Sequence, residues 1–293
     1  MSKAFHVCGL FFVIFLLALC GTALAGHKEQ PPKKGILLVA FGTTVPEART
    51  ALDNIGEKAA QRFPELEIRW AYSSRIVREK LAQKGQNFDS PAMALARMMD
   101  DGFTHVAVQS LHTIPGEEFH ALQQTAKAFS GLPKGMQSVV LGLPLLAEPD
   151  DVERCAAAIM ASLPAERKKG EAVVLMGHGT HHPANIYYSG LQYSLSKLDP
   201  LVLVGTVEGT PSLEDVRQTL KSRKITKVYL QPFMAVAGDH AMNDMAGEEE
   251  DSWKSVLTGD GLSTVSVMRG TAAIPVFVDI WLDHLQAALE RLP

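Results

Sequence analysis

Apolar positions fall mostly in short unbroken runs, with little period-2 alternation. Runs at 35–41 (GILLVAF), 67–72 (EIRWAY), 105–111 (HVAVQSL) and 138–143 each have the length of one strand. Continuous hydrophobicity over so few residues predicts strands buried on both faces, as in a parallel sheet under helices. Helical patterns lie between them: 46–62 opened by Pro46, 75–83 behind Ser73-Ser74, a helix from Ser90-Pro91, and 117–129 after Gly116. Proline suits a first helical turn, where its missing N–H has no partner to lose. The order then starts again. Strands are predicted at 172–176, 201–207, 227–232 and 263–268, with helices at 187–197, 212–222 and 275–292. The expected fold is α/β, with two similar Rossmann-like halves. Each half is a parallel sheet covered by helices, and a cleft lies between them. The halves are 35–146 and 147–293, the second carrying the candidate ligands and the terminal helix.

The halves are also related residue by residue. HVAVQSLHTIPGEEFH (105–120) aligns with KVYLQPFMAVAGDHAM (227–242), setting Gln109 on Gln231, Gly116 on Gly238 and Glu118 on His240. LLVAFGTT (37–44) falls on VLMGHGTH (174–181), with Phe41 on His178. WAYSS (70–74) falls on TVEG (206–209), with Ser73 on Glu208. This pattern reads as a gene duplication.

Three successive strands of the second half thus deliver His178, Glu208 and His240 at their carboxyl ends, where open α/β sheets bind ligands. Two imidazoles and a carboxylate can hold a divalent transition ion and leave positions open for a substrate. The structural alternatives are a turn histidine, a helix-capping glutamate and a solvated loop histidine. His112 ends a strand turn and is expected to face the crevice from the first half, as is Glu118. Arg75 and Arg78 could pair bidentately with anionic substrate groups, or be surface arginines. His120 is read as an exposed helical histidine, or else as an auxiliary haem or metal ligand. His181 and His182 are read as rim residues. The run Glu248–Asp251 suits either a helix start or a cation-attracting lip. GxGxxG, Walker, HExxH and nucleophile-elbow motifs are missing from the sequence.

The formal net charge is −4, and loss of Lys3 on processing makes it −4 − 1 = −5. That argues against nucleic acid as a partner. Lys3, the apolar run 7–19 and Ala23-Leu24-Ala25 predict a signal peptide at 1–25, followed by a flexible lead-in at 26–34. The apolar run is short for a membrane span, and Leu19 before Cys20 does not fit a lipidation site. The expected address is the periplasm, with no membrane span after processing. Cys8 and Cys20 leave with the signal region. Cys155 remains alone in a helical pattern, so no intrachain disulfide or CxxC metal site can form.

The segments LLVAFGTT, AYSSRIVREKL, QSLHTIPGEEF, GHGTHH, VEGTPS and AGDHAMNDMAGEEEDSWKSVL resemble the class II chelatases. Within these they are most similar to the anaerobic, CbiK-type sirohydrochlorin cobaltochelatases of cobalamin synthesis. The resemblance implies ATP-independent insertion of Co2+, with Fe2+ as the alternative, into a tetrapyrrole. It implies that His178, Glu208 and His240 hold the ion. One imidazole, His240 with Asp239 or Glu208 beside it, is expected to accept a pyrrole proton. No nucleotide is implied. The duplication places both halves in one chain and leaves a homo-oligomer open. The export signal and His120 depart from the family pattern. They motivate an alternative, a periplasmic haem, tetrapyrrole or metal carrier on the same scaffold.

Overall fold

The first sheet is built from β1 (Lys34–Ala40), β2 (Glu67–Tyr72), β3 (His105–Ser110) and β4 (Ser138–Gly142). The second is built from β5 (Ala172–Gly179), β6 (Val202–Glu208), β7 (Lys227–Pro232) and β8 (Ser263–Ser266). This computed structural model describes residues 32–133 and 135–293. The expected signal peptide, Cys8, Cys20 and residues 26–31 of the lead-in lie outside the described residues. Every strand pair is parallel, and the orders are β2-β1-β3-β4 and β6-β5-β7-β8. The duplication therefore holds at the level of topology. In each sheet the chain leaves the first strand to one side and returns on the other. The switch points fall between β1 and β3 and between β5 and β7.

Helices cover both faces. In the first half they are α1 (Pro46–Arg62), α2 (Arg75–Ala82), α3 (Pro91–Asp100) and α4 (Glu117–Phe129). Then follow α5 (Pro149–Ala161), α6 (Ile186–Leu198), α7 (Leu213–Ser222), α8 (Trp253–Gly259) and α9 (Pro275–Glu290). Proline occupies the first turn of α1, α3, α5 and α9, and Ser74, Ser90, Ser212 and Ser252 cap α2, α3, α7 and α8. Strand residues alternate between two apolar layers. Ile36, Leu38 and Ala40 join Val173, Leu175 and Tyr229 in one core shared by both halves. Leu37 and Val39 meet Leu95, Met98 and Leu122, while Val174, Met176 and Leu230 meet Val216, Trp253 and Leu257. Burial of successive residues on opposite faces is why the runs carry no polar alternation.

The terminal helix corrects one expectation. By chain order α9 was grouped with the second half, yet it packs on β3 and β4 of the first sheet. Phe277, Trp281, Leu285 and Ala288 bury its apolar face, and Trp281 Nε1 donates to the His112 carbonyl at 3.3 Å. Chain order does not fix which sheet an amphipathic helix covers. A buried hydrogen-bonded pair locks it. His284 Nε2 meets Asp151 Oδ1 on α5 at 3.0 Å, and Nδ1 meets the Leu143 carbonyl at 3.2 Å. Cys155 is buried beside this junction, as its helical pattern predicted, and burial pushes its thiol pKa up. Among the described residues no helix is long and apolar enough to cross a membrane.

Candidate metal site

β5 runs on to Gly179, beyond the apolar run, so His178 is its penultimate residue. The flanking glycines permit close approach rather than merely baring the imidazole. A Cβ on Gly177 would stand 2.4 Å from the Tyr188 ring, and one on Gly179 would stand 1.9 Å from the Glu208 carbonyl oxygen. Gly179 also has φ +78°, a conformation unfavourable to other residues. Tyr188 is buried, which raises its phenol to about 12, and the N–H groups of Gly179 and His178 hydrogen-bond to it. The backbone under His178 is thereby held. Gly179→Ala is expected to lower stability by at least about 1–2 kcal/mol from backbone strain alone, read as a shifted denaturation midpoint. It should also reduce metal binding by displacing His178.

His240 enters from the loop after β7 and begins a π-helical turn, Ala241–Met245. The Ala246 N–H reaches the Ala241 carbonyl at 3.1 Å, the i to i+5 pattern often found at functional sites. The turn sets Asp244 against the ring, with Oδ2 2.5 Å from His240 Nδ1. His178 Nδ1 donates to the Gly179 carbonyl at 3.0 Å. The two rings are perpendicular, with centroids 4.5 Å apart, and their Nε2 atoms are 3.1 Å apart.

These partners assign the tautomers. Each Nδ1 faces an oxygen acceptor and carries the proton, so in neutral rings both Nε2 lone pairs point into the same space. Two lone pairs so close repel unless a proton or a cation lies between them. The separation is near the roughly 3 Å expected for neighbouring ligands each about 2.1 Å from one ion. Asp244 holds the His240 ring in this orientation, as an outer carboxylate does beside a metal-binding imidazole.

The third expected ligand is not gathered in. Glu208 ends β6 beside Gly179, and its side chain is exposed. Among the described residues no group of three or more His, Cys, Asp or Glu is spaced to hold an ion. Asp239 does not serve His240 either. It stands 3.9 Å from Lys80, and Asp244 takes the role expected of it. The i,i+4 spacing of His240 and Asp244 was the available signal, but only once the segment is known to be helical.

The first half presents a different edge. His112 Nδ1 is 2.8 Å from Ser110 Oγ, and Nε2 is 3.4 Å from Ser73 Oγ. Burial lowers its pKa to about 4, against the pull of the Glu118 carboxylate. The imidazole is neutral at physiological pH. His112, Ser73 and Glu118 therefore do converge. Arg78 differs from expectation, since its Nη1 donates to the carbonyls of Tyr72 (2.6 Å) and Ser73 (2.9 Å) and holds the end of β2. Arg75 is exposed and pairs with Glu79 at 3.3 Å. The halves touch on both flanks. Gly238 lies against Thr43, and the His120 ring stands 4.9 Å from the His182 ring. His182 Nδ1 accepts from the Ala184 N–H, and His181 is exposed, as a rim residue should be. Glu248–Asp251 precedes α8 and is exposed, with Glu248 paired to Lys254 at 2.6 Å. A cavity of about 440 Å³ lined by Asp53, Glu57 and Trp70 lies at the opposite, amino edge of the first sheet.

The duplicated architecture has solved counterparts. SirB from Bacillus subtilis with Fe3+ superposes with a TM-score of 0.57 at 16% identity, over 87% of this chain and 95% of that one. CbiX, described as the terminal enzyme for biosynthesis of siroheme in denitrifying bacteria, gives 0.54 at 15% identity, over 87% and 99%. At such identities the likeness is one of fold. Twin four-stranded parallel sheets covered by helices are the fold this chain shares with these solved proteins. The chain belongs to the CbiK cobalt chelatase family, whose model matches residues 34–290. Sirohydrochlorin cobaltochelatase CbiKC of Nitratidesulfovibrio vulgaris is 45% identical over 89% of this chain and 92% of its own length. Sirohydrochlorin cobaltochelatase of Salmonella typhimurium is 33% identical over 88% and 97%.

Proposed function

We propose that the protein inserts Co2+ into sirohydrochlorin, or a closely related tetrapyrrole, without ATP. The observation that carries this reading is the convergence of His178 Nε2 and His240 Nε2 at 3.1 Å with both Nδ1 atoms already engaged. The likeness to the two named cobaltochelatases supports the choice of substrate.

In this reading His178 and His240 receive the ion, and Glu208 swings from the end of β6 to complete the set. The site is weak by design, because two imidazoles and a mobile carboxylate must surrender the ion to four ring nitrogens. Insertion releases two pyrrole protons for each divalent ion. As the ion leaves, the Nε2 lone pairs become free, and imidazoles accept protons near neutral pH. His240, backed by Asp244, takes the first, and the second goes to His178 and then to solvent. The neutral His112 with Ser73 and Glu118 lines the opposite edge and hydrogen-bonds the ring. Arg75 attracts the ring's carboxylate side chains. Borderline nitrogen donors also accept Fe2+, which is the alternative metal.

The test is the absorbance change of sirohydrochlorin on adding Co2+ and the processed protein. Metallation without ATP is expected, and no spectral change at any protein concentration would overturn the reading. Glu208→Ala is expected to weaken Co2+ binding in a direct titration while leaving the unfolding midpoint unchanged. A lowered midpoint with unchanged binding would make Glu208 a structural residue.

We further propose export to the periplasm, on the strength of Lys3, the apolar run 7–19 and Ala23-Leu24-Ala25; cell fractionation tests it. A second reading, an exported haem or tetrapyrrole carrier, is favoured by one observation. His120 is partly exposed at the flank of the halves, with His182 as a neighbouring ring. A haem absorption band in the isolated protein that disappears in His120→Ala would support it, and colourless protein that takes up no haem would dismiss it.

A further inference from the structure

We propose that Asn185 sets the reach of Glu208, because its amide ties the turn that carries Glu208 to the turn that carries His178. The inference rests on the chelatase reading above and adds a positioning residue to it.

Asn185 closes the short 3-10 turn Pro183–Asn185 and leads into α6. An asparagine at a helix start ordinarily turns its side chain to the helix's own first N–H groups. Here it makes no such bond. Its Oδ1 accepts from the Thr180 N–H at 3.2 Å, two residues beyond His178. Its Nδ2 donates to the Thr210 carbonyl at 2.7 Å, two residues beyond Glu208. One planar amide thus gives an acceptor to one strand-end turn and a donor to the other. The fit is close, since a Cβ on Gly209 would stand 2.6 Å from Asn185 Oδ1.

Each turn is also closed on itself. Thr180 Oγ1 accepts from the His182 N–H at 3.0 Å. Across the Glu208 turn, the Thr206 N–H and hydroxyl both donate to the Pro211 carbonyl, at 2.7 and 2.9 Å. β5 and β6 keep their register as far as Gly179 and Glu208, and Asn185 joins what lies beyond. The backbone of Glu208 is therefore placed relative to His178, and its exposed side chain is left to move. A carboxylate that closes on an ion and then releases it needs that combination. A turn already held in place loses little freedom when the ion binds, so ordering it costs less affinity.

The first half shows that this tie belongs to the edge with the candidate ligands. Continuing the alignment of LLVAFGTT with VLMGHGTH sets Pro46 on Pro183 and Ala48 on Asn185. The turn itself is shared, since Thr43 Oγ1 accepts from the Val45 N–H at 3.1 Å as Thr180 Oγ1 does from His182. The amide is not shared, because Ala48 is a buried apolar residue of α1. There the strand ends are joined through backbone, with the Ser73 and Ser74 N–H groups donating to the Ala40 and Phe41 carbonyls at 2.8 and 3.2 Å. Asn185 thus stands in the half that has His178 and Glu208, and alanine stands in the half that has Phe41 and Ser73 at those positions.

The experiment is a double-mutant cycle on the processed protein, with Asn185→Ala, Glu208→Ala and the double variant, read by direct Co2+ titration. Asn185→Ala is expected to weaken Co2+ binding about 10-fold, the low end of what loss of an outer partner does to a metal site. In the Glu208→Ala background the same change should weaken binding by less than about 2-fold, because its effect passes through Glu208. The KM for Co2+ should rise with the dissociation constant. Ring affinity, from absorbance titration of metal-free sirohydrochlorin, should stay at the wild-type value, which a general loosening of the fold would not allow. Asn185→Asp is nearly isosteric and still accepts from Thr180, but it turns an oxygen toward the Thr210 carbonyl. Its Co2+ affinity should fall, although the added negative charge alone would raise it. If circular dichroism shows that Asn185→Ala does not fold, Asn185→Asp decides. Wild-type Co2+ affinity in Asn185→Ala, the full loss persisting in Glu208→Ala, or an unchanged or raised affinity in Asn185→Asp would overturn the proposal. If wild type binds no Co2+, the chelatase reading falls and the tie with it. If wild type binds Co2+ and Glu208→Ala binds it equally well, the proposal alone falls and the histidine pair stands.

Discussion

His178→Ala and His240→Ala are each expected to cut cobalt insertion by at least about 100-fold, beyond the roughly 10–100-fold typical of losing only an outer partner of a ligand. Each substitution removes one of the two lone pairs that converge at 3.1 Å and one of the two proton acceptors. Removing both functions from one side of the site leaves the ion on a single imidazole. Neither ring is part of the core, and the His240 side chain is 45% exposed, so the unfolding midpoint should stay near that of wild type. Asp244→Asn should fall between, because the amide oxygen can still accept from His240 Nδ1 but lacks the carboxylate's charge. Sirohydrochlorin metallation followed by absorbance, with Co2+ binding measured in parallel, checks all three. Full rates in both alanine variants would remove this histidine pair from the mechanism.

The largest stability effect is expected away from the crevice, in Asp151→Ala. His284 is engaged at each ring nitrogen, by the Leu143 carbonyl and by Asp151 Oδ1. Both partners are buried. Removing Asp151 leaves the buried His284 Nε2 without its partner, at a cost of about 1–3 kcal/mol. Asp151 Oδ2 also accepts from the N–H groups of Ala147 and Glu148, which cap α5. The denaturant midpoint reports the loss. Replacing both His284 and Asp151 by apolar residues should cost less than the sum of the single changes, and strict additivity would refute the coupling.

The pH dependence follows from Asp151. Burial pushes its carboxyl pKa up, but the hydrogen bond and charge of His284 and the two backbone N–H groups outweigh burial and hold it below the usual range. A carboxyl depressed in the folded state contributes stability above its unfolded pKa, near 3.9. That contribution is lost as pH falls through the folded value. The stability gap between wild type and Asp151→Ala should therefore begin to narrow below about pH 4 and go on narrowing until pH lies below the folded value.

Much of the fold was legible because its signals are local. The apolar runs that became β1, β3, β5 and β7 need both faces covered, and they show it without reference to partners. Pro46, Pro91 and Pro275 marked helix starts for a reason confined to one residue's missing N–H. The position of His178 at a strand end was likewise readable, whereas His240 lies in the loop beyond β7. Less legible was the segment after Gly238. It was expected as a loop leading into an acidic helix start, and it contains a π-helical turn, with α8 beginning only at Trp253. A π turn has no periodicity of its own in so short a stretch. Arg78 was read as an anion partner or a surface arginine, but the carbonyls of Tyr72 and Ser73 claim it, and backbone acceptors leave no mark in a sequence.

By itself, the sequence determined the alternation of strands and helices, the duplication and the family, and it singled out His178 and His240 as candidates. These depend on hydrophobic continuity, turn chemistry and motif, each carried by neighbouring residues. Only the tertiary structure decided that α9 returns to the first sheet, that Asp244 rather than Asp239 backs His240, and that Glu208 stands apart. It alone brought two Nε2 atoms together across 62 residues of chain. Such meetings depend on strand order, on the approach allowed by Gly177 and Gly179, and on which ring nitrogen finds an acceptor. Those are properties of the packed molecule that no local pattern encodes.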